Sequence, residues 1–166
     1  MIDGNCLFNL GAKEFDYYIF IDYSEDYLGY LIIEKEKIRE FIPKISKFAH
    51  YKELKHKPAY LHSIKKVIEK NKVLSYLLKI KIRKITDTPE IYSDILEFLK
   101  NHDNCLIFIS VDNKQYSNFE RLVRIIDGTN TKIVKENELK KDTFEYRISL
   151  VLDTLLNVER LKHEIK

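Results

Sequence analysis

The sequence predicts an α/β domain: a mixed β-sheet flanked by helices, in the order β-β-(αα)-β-α-β-α-β-α. Three observations predict it. Two aromatic and β-branched runs near the start are joined by a connection so short that it implies an antiparallel hairpin. From about residue 73 onward, strand-like runs alternate with amphipathic helical stretches, the pattern of parallel β-α-β units. Finally, 166 residues that are 45% hydrophobic and 33% charged suit one globular domain, 1–166, with a core of its own.

Residues 15–23 carry Phe15, Tyr17, Tyr18, Ile19, Phe20 and Ile21 and end in Asp22, a buried strand. Ser24, Glu25 and Asp26 make the turn, and 27–34 form the second strand. Ile38, Phe41, Ile42, Ile45 and Phe48 stand at helical spacing over 36–49, with Pro43 kinking or splitting that helix. Pro58 opens a second helix over 58–71, with Leu61, Ile64, Val67 and Ile68 on one face. These two helices read as a basic insert at about 36–71 within the single domain.

Residues 73–85 alternate, Leu78, Ile80, Ile82 and Ile85 against Lys79, Lys81, Arg83 and Lys84, which predicts a strand with a basic outer face. Thr88 as cap and Pro89 at the first position start a helix that buries Ile91, Ile95, Phe98 and Leu99. The continuous apolar run 105–111 is another buried strand, ending at Asp112. Phe119, Leu122, Val123 and Ile126 mark a helix over 115–127 that Gly128 stops. A short strand at 131–134 and a long helix over 143–163 close the chain.

Composition excludes several classes. No apolar run approaches the roughly 20 residues of a membrane span, and the start, Met1 to Lys13, lacks the pattern of a secretory signal. Cys6 and Cys105 are too few for a disulfide scaffold and have no zinc spacing, so the expected compartment is a reducing cytoplasm. The net charge of +3 conceals a division. Between residues 35 and 84 stand 16 Lys or Arg against four acids (Glu36, Glu40, Glu53 and Glu69), a net +12; the remainder holds 13 basic and 22 acidic residues, a net −9. Such asymmetry reads as a polyanion-binding segment beside an acidic site. A Lys- and Ile-rich coding bias, as in an AT-rich genome or a thermophile, accounts for many lysines one by one. It does not account for the depletion of acids in the same stretch.

Three aspartates carry the chemical signal. Asp22 and Asp112 each end one of the two most apolar strands, and parallel strands present ligand sites at their carboxyl ends. Each alone is also explained as the start of a turn. Asp153 lies in a helix that is apolar nearly all round, Ile148 to Leu156, where a carboxylate must pair, cap or hold a metal. A salt bridge to Arg147 or Arg160, or an exposed stripe, is its competing account. Gathered together, such carboxylates repel one another unless divalent cations sit among them.

With these features the chain resembles the ribonuclease H-like superfamily: a first strand ending in Asp22, a hairpin, a third strand, a helix, a fourth strand ending in Asp112, and Asp153 in the closing helix. The segment Asp22-Tyr23-Ser24-Glu25-Asp26, followed by Gly29, is similar to an archaeal branch with an Asp-x-Ser first-strand motif. The resemblance implies a metal-dependent nuclease that hydrolyses RNA or DNA by a two-metal mechanism with Mg²⁺ or Mn²⁺. Asp22, Asp112 and Asp153 would be its ligands. One acid from the helix after the third strand would join them: Glu90, Asp94 or Glu97, with Asp94 as catalytic and Glu97 as metal-ligating candidate. The chain departs from the family in its helical insert and in Tyr23, where a Glu can follow the first Asp. An inactive module of the same fold, serving nucleic-acid binding or protein interaction, is the alternative. A PIN-type nuclease also puts Asp at the end of its first strand, but the immediate hairpin argues against it.

The expected partner is nucleic acid, held by Lys44, Lys47, Lys52, Lys55, Lys57, Lys65 and Lys66 without sequence preference; a membrane is not expected, and a homodimer stays open. Tyr51, Tyr60 and Tyr76, among these lysines, are the candidates for stacking on bases. His50, His56 and His62 have no metal spacing and point to solvated or phosphate-touching roles. Ser24 and Ser110 have no His arranged near them for nucleophilic catalysis, and no Gly-rich phosphate loop is present.

Overall fold

A computed structural model describes residues 15–110, 112–127 and 131–164. Cys6, the start of the chain, Val111 and the stop at Gly128 lie outside the described residues. β1 (Tyr17–Ser24) and β2 (Tyr27–Glu34) form the hairpin, with Glu25 of its two-residue turn in the left-handed region at φ 54°. β3 (Lys79–Lys84) adds antiparallel to β2. β4 (Cys105–Ile109) and β5 (Lys132–Lys135) add in parallel on the other side, giving the order β3-β2-β1-β4-β5. β1 therefore sits in the centre, which explains why its sequence is apolar on both faces.

Among the described residues, five helices cover the sheet: α1 (Lys35–Lys44), α2 (Lys57–Lys70), α3 (Thr88–Asn101), α4 (Asn113–Asp127) and α5 (Phe144–Glu164). One face carries Ile19, Ile21, Leu28, Tyr30 and Ile32 against α3 and α4. The other carries Tyr18, Phe20, Leu31 and Ile33 against α5 and the basic helices, whose Ile38, Phe41, Leu61 and Ile64 enter the same core. The insert thus has no core of its own. No described helix is long and apolar enough to cross a membrane.

Three local expectations need correction. The first insert helix ends at Lys44, not near residue 49; Pro43 stands in its last turn, where it has no N–H to continue the hydrogen-bond ladder. Ile45 and Phe48 nonetheless stay buried, which is why their spacing mimicked a longer helix. The strand predicted over 73–85 is shorter, because Lys72 takes a left-handed conformation and starts a 3-10 turn at Val73–Tyr76. α3 is preceded by Asp87 at the cap position, without a side-chain cap; Thr88 is already helical and donates its hydroxyl to Ile85 O (2.5 Å).

Candidate active site

Parallel pairing decides which residues meet at the strand ends. Ile21 is in register with Ile109, and Ile109 with Lys135. One residue further, Asp22, Ser110 and Glu136 therefore stand in a row across the carboxyl ends of β1, β4 and β5. The Ser110 N–H donates to Ile21 O (2.9 Å), which continues the β1–β4 pairing to this row. Strand alternation turns Asp22 to the α5 side with Phe20. A narrow crevice there is lined by Phe20, Asp22, Phe108, Glu136, Ser149 and Leu152, so the row faces α5.

Gly29, the cross-strand partner of Asp22, sits where β2 crowds β3: a Cβ on it would lie 2.9 Å from Lys81 O and Ile82 Cγ1, while Leu156 Cδ2 of α5, at 3.4 Å, would be in ordinary contact. α5 packs over β1 and β2 and carries Asp153 beside the row. Asp22 and Asp153 are only 8% and 9% exposed.

The electrostatics follow from that burial. Desolvation pushes the Asp22 carboxyl well above the usual carboxylate range, and Glu136 and Asp153 push it further. The Tyr23 N–H (2.8 Å) and the Ser110 hydroxyl pull it partly back. Glu136 is raised in the same way, by burial first and then by Asp153, against the Ser110 and Ser149 hydroxyls and His50. Burial raises Asp153 too; the Tyr51 N–H (2.9 Å to Oδ2), His50 and Lys52 oppose it. Three carboxylates thus share one largely desolvated site, opposed among the described residues by neutral donors and by His50 and Lys52 of the insert.

The insert is bolted over this site. Tyr51 caps Asp153, the Tyr60 hydroxyl meets both Thr154 Oγ1 (2.8 Å) and the Ala49 N–H (3.0 Å), and Arg147 donates to Ser46 O (2.9 Å). Beside it, Ser24 donates to Asn157 Oδ1 (3.0 Å), which also accepts from Arg160 (2.9 Å).

The other sequence candidates lie elsewhere. Asp112 is exposed and caps α4, accepting the Gln115 N–H at 2.8 Å. Asp94 sits on the opposite face of the sheet, paired with Lys81 and accepting the Tyr30 hydroxyl (3.0 Å). Burial tends to raise its pKa, but these partners outweigh burial and hold the carboxyl below its ordinary value. Glu90 pairs with Arg83 (2.9 Å), and Glu97 is exposed on the same helix. The β3–α3–β4 crossover carries all three acids away from the α5 side. Glu136 was missed. The rule that found Asp22 would have found it, had the last short strand been read one residue longer, to Lys135.

Lys44, Lys47, Lys52, Lys55, Lys65 and Lys66 are exposed; Lys57 is half-buried, 5.7 Å from the centre of the Tyr51 ring. The stacking role expected for three tyrosines needs correction, because base stacking requires an open ring face. Tyr51 is buried, Tyr60 is tied to Thr154 and Ala49, and Tyr76 packs on Phe41. Cys105 is a buried thiol.

For a divalent cation the donors fit in kind: Asp22, Glu136, Asp153 and two serine hydroxyls are all hard oxygen ligands. Their spacing is wider than a bound ion requires. Among the described residues, no three His, Cys, Asp or Glu side chains are grouped closely enough to hold a metal.

No family model matches the chain, and no curated protein matches it in sequence. Among solved structures it is similar to the RNase HII of Archaeoglobus fulgidus, determined in a complex with PCNA. The identity is 10% and the TM-score 0.48, over 88% of this chain and 72% of that one.

Proposed function

We propose that this chain is a ribonuclease H-like nuclease that hydrolyses phosphodiester bonds in RNA or DNA with Mg²⁺ or Mn²⁺. The observation that carries the reading is the row Asp22–Ser110–Glu136 beneath Asp153 at the ends of parallel strands, with Asp22 and Asp153 buried, Glu136 half-buried and all three carboxyls raised by desolvation. Natural chains do not keep mutually repelling buried acids for stability, since each costs several kcal/mol when uncompensated. Bound divalent ions would activate water and stabilise the leaving oxygen. Asp22 and Glu136 would hold them from the sheet and Asp153 from the helix, with Ser110 orienting the two sheet carboxylates. The exposed insert lysines beside the site would grip the phosphate backbone.

A second reading, a nucleic-acid-binding module without catalysis, is favoured by the Tyr51 cap on Asp153 and by the wide spacing of the acids. Cleavage of end-labelled RNA, DNA and hybrid duplex with Mn²⁺ or Mg²⁺, beside an Asp22→Asn protein, separates the two. Metal-dependent cleavage that Asp22→Asn abolishes supports the nuclease. Salt-sensitive binding without cleavage supports the module, and binding insensitive to salt removes the polyanion role from both.

A further inference from the structure

Away from the acids, the helix layer on the α5 side is incomplete. α5 covers β1 and β2, but the Ile80 and Ile82 side chains of edge strand β3 remain half-buried. The space above them is a cavity of about 560 Å³ between α2 and the C-terminal half of α5. Its apolar lining comes from Ile68, Leu74, Ile80, Ile82, Leu155 and Val158. A second cavity of about 570 Å³ adjoins it, sharing His62, Lys65, Val158 and Lys162 and reaching Leu61, Leu161 and Pro58. Together they form one open trough with an apolar floor. Leu74, at its far end, is 46% exposed.

The geometry points to an interaction surface: the trough receives an amphipathic helix with acidic flanks from a partner protein. Four observations choose that occupant. Adjoining cavities that share lining residues make an elongated seat, and an open one admits a helix of about 10 Å diameter. Two helices and a sheet edge form its walls, so an added helix would complete the layer by the same packing that seats α5. The rim carries Lys65, Lys66 and Lys162 with His62, against Glu69 and Glu159. Glu159 and Lys162 pair with each other (3.8 Å), which leaves Lys65 and Lys66 against Glu69, a net positive rim that favours acids. An aliphatic floor matches the i, i+3, i+4, i+7 stripe of such a helix rather than the flat rings of bases.

Fluorescence anisotropy tests this with two synthetic helical peptides of about 18 residues. Both carry leucines at i, i+3, i+4 and i+7 spacing, and one bears glutamates on its flanks where the other bears lysines. The glutamate peptide is expected to bind at least about tenfold more tightly. Val158→Glu, in the floor, should abolish that binding while circular dichroism and Tm stay those of the parent. Lys65→Glu with Lys66→Glu should reverse the preference between the peptides. Equal binding of the two peptides, no binding of the glutamate peptide, or binding indifferent to Val158→Glu would overturn the proposal. So would a concentration-dependent dimer that Val158→Glu dissolves, since the occupant would then be a second copy of this chain.

Discussion

Two groups of carboxylates lie on opposite faces of one sheet, and their environments are reversed. On the α3 side, Asp94 and Glu90 meet Lys81 and Arg83 of the edge strand, and Asp94 is held below its usual pKa. On the α5 side, Asp22, Glu136 and Asp153 have no such ion pair among the described residues and are all raised, chiefly by burial. The first arrangement supports the fold. The second works against it, as the acids of the proposed nuclease site would.

The largest expected effect separates the two groups by activity. Asp22→Asn and Asp153→Asn should each lower metal-dependent cleavage at least about 100-fold, or roughly 2.7 kcal/mol of transition-state stabilisation. Asp94→Asn and Asp112→Asn should leave it within about threefold, since neither side chain touches the row; steady-state rates on a labelled substrate check both.

Next comes the crowding between β2 and β3. Gly29→Ala should cost about 1–3 kcal/mol in urea unfolding, because the new methyl group meets the Lys81 carbonyl and the Ile82 side chain. An unchanged midpoint would show that β3 yields to the methyl group without cost.

Smaller still are the stability effects of the acids, and they carry opposite signs. The raised native pKa values mean that the folded chain binds more protons than the unfolded chain between about pH 4 and those native values. Stability from this group therefore falls as pH rises through that window. Asp22→Asn should raise stability above the raised native value by about 1 kcal/mol and flatten the fall that begins above about pH 4. Asp94 behaves in the opposite sense: its contribution is present above the unfolded carboxyl pKa and is lost as pH falls through the lowered native value. Asp94→Asn should cost up to about 1 kcal/mol at pH 7. Removing the α4 cap with Asp112→Ala should cost about 1 kcal/mol at pH 7. Chemical denaturation across pH measures all three.

Much of the sheet was legible in the sequence because its signals are local. The β1–β2 hairpin follows from a short connection between apolar runs, and α3 and α5 follow from helical spacing. The site was half legible. Asp22 and Asp153 were visible as acids out of place, one at the end of an apolar strand and one inside an apolar helix. Asp112 looked equivalent to Asp22, but register is a long-range property: Ile21 pairs with Ile109, so Ser110 takes the place beside Asp22. Asp112, two residues on, then turns away to cap α4. Asp94 and Glu97 share a helix, but spacing along a helix does not say which face of a sheet the helix will cover. Glu136 follows a strand of only four residues, too short to show the alternation that would have marked its end.

The central claim is that Asp22, Glu136 and Asp153 form the cation-binding set, and calorimetric Mn²⁺ titration at pH 7.5 tests it most directly. The parent protein is predicted to bind Mn²⁺ saturably, with binding lost in Asp22→Asn and Glu136→Gln and kept in Asp112→Asn and Asp94→Asn. Mn²⁺ binding that survives Asp22→Asn and Glu136→Gln, or that disappears with Asp112→Asn alone, would contradict it.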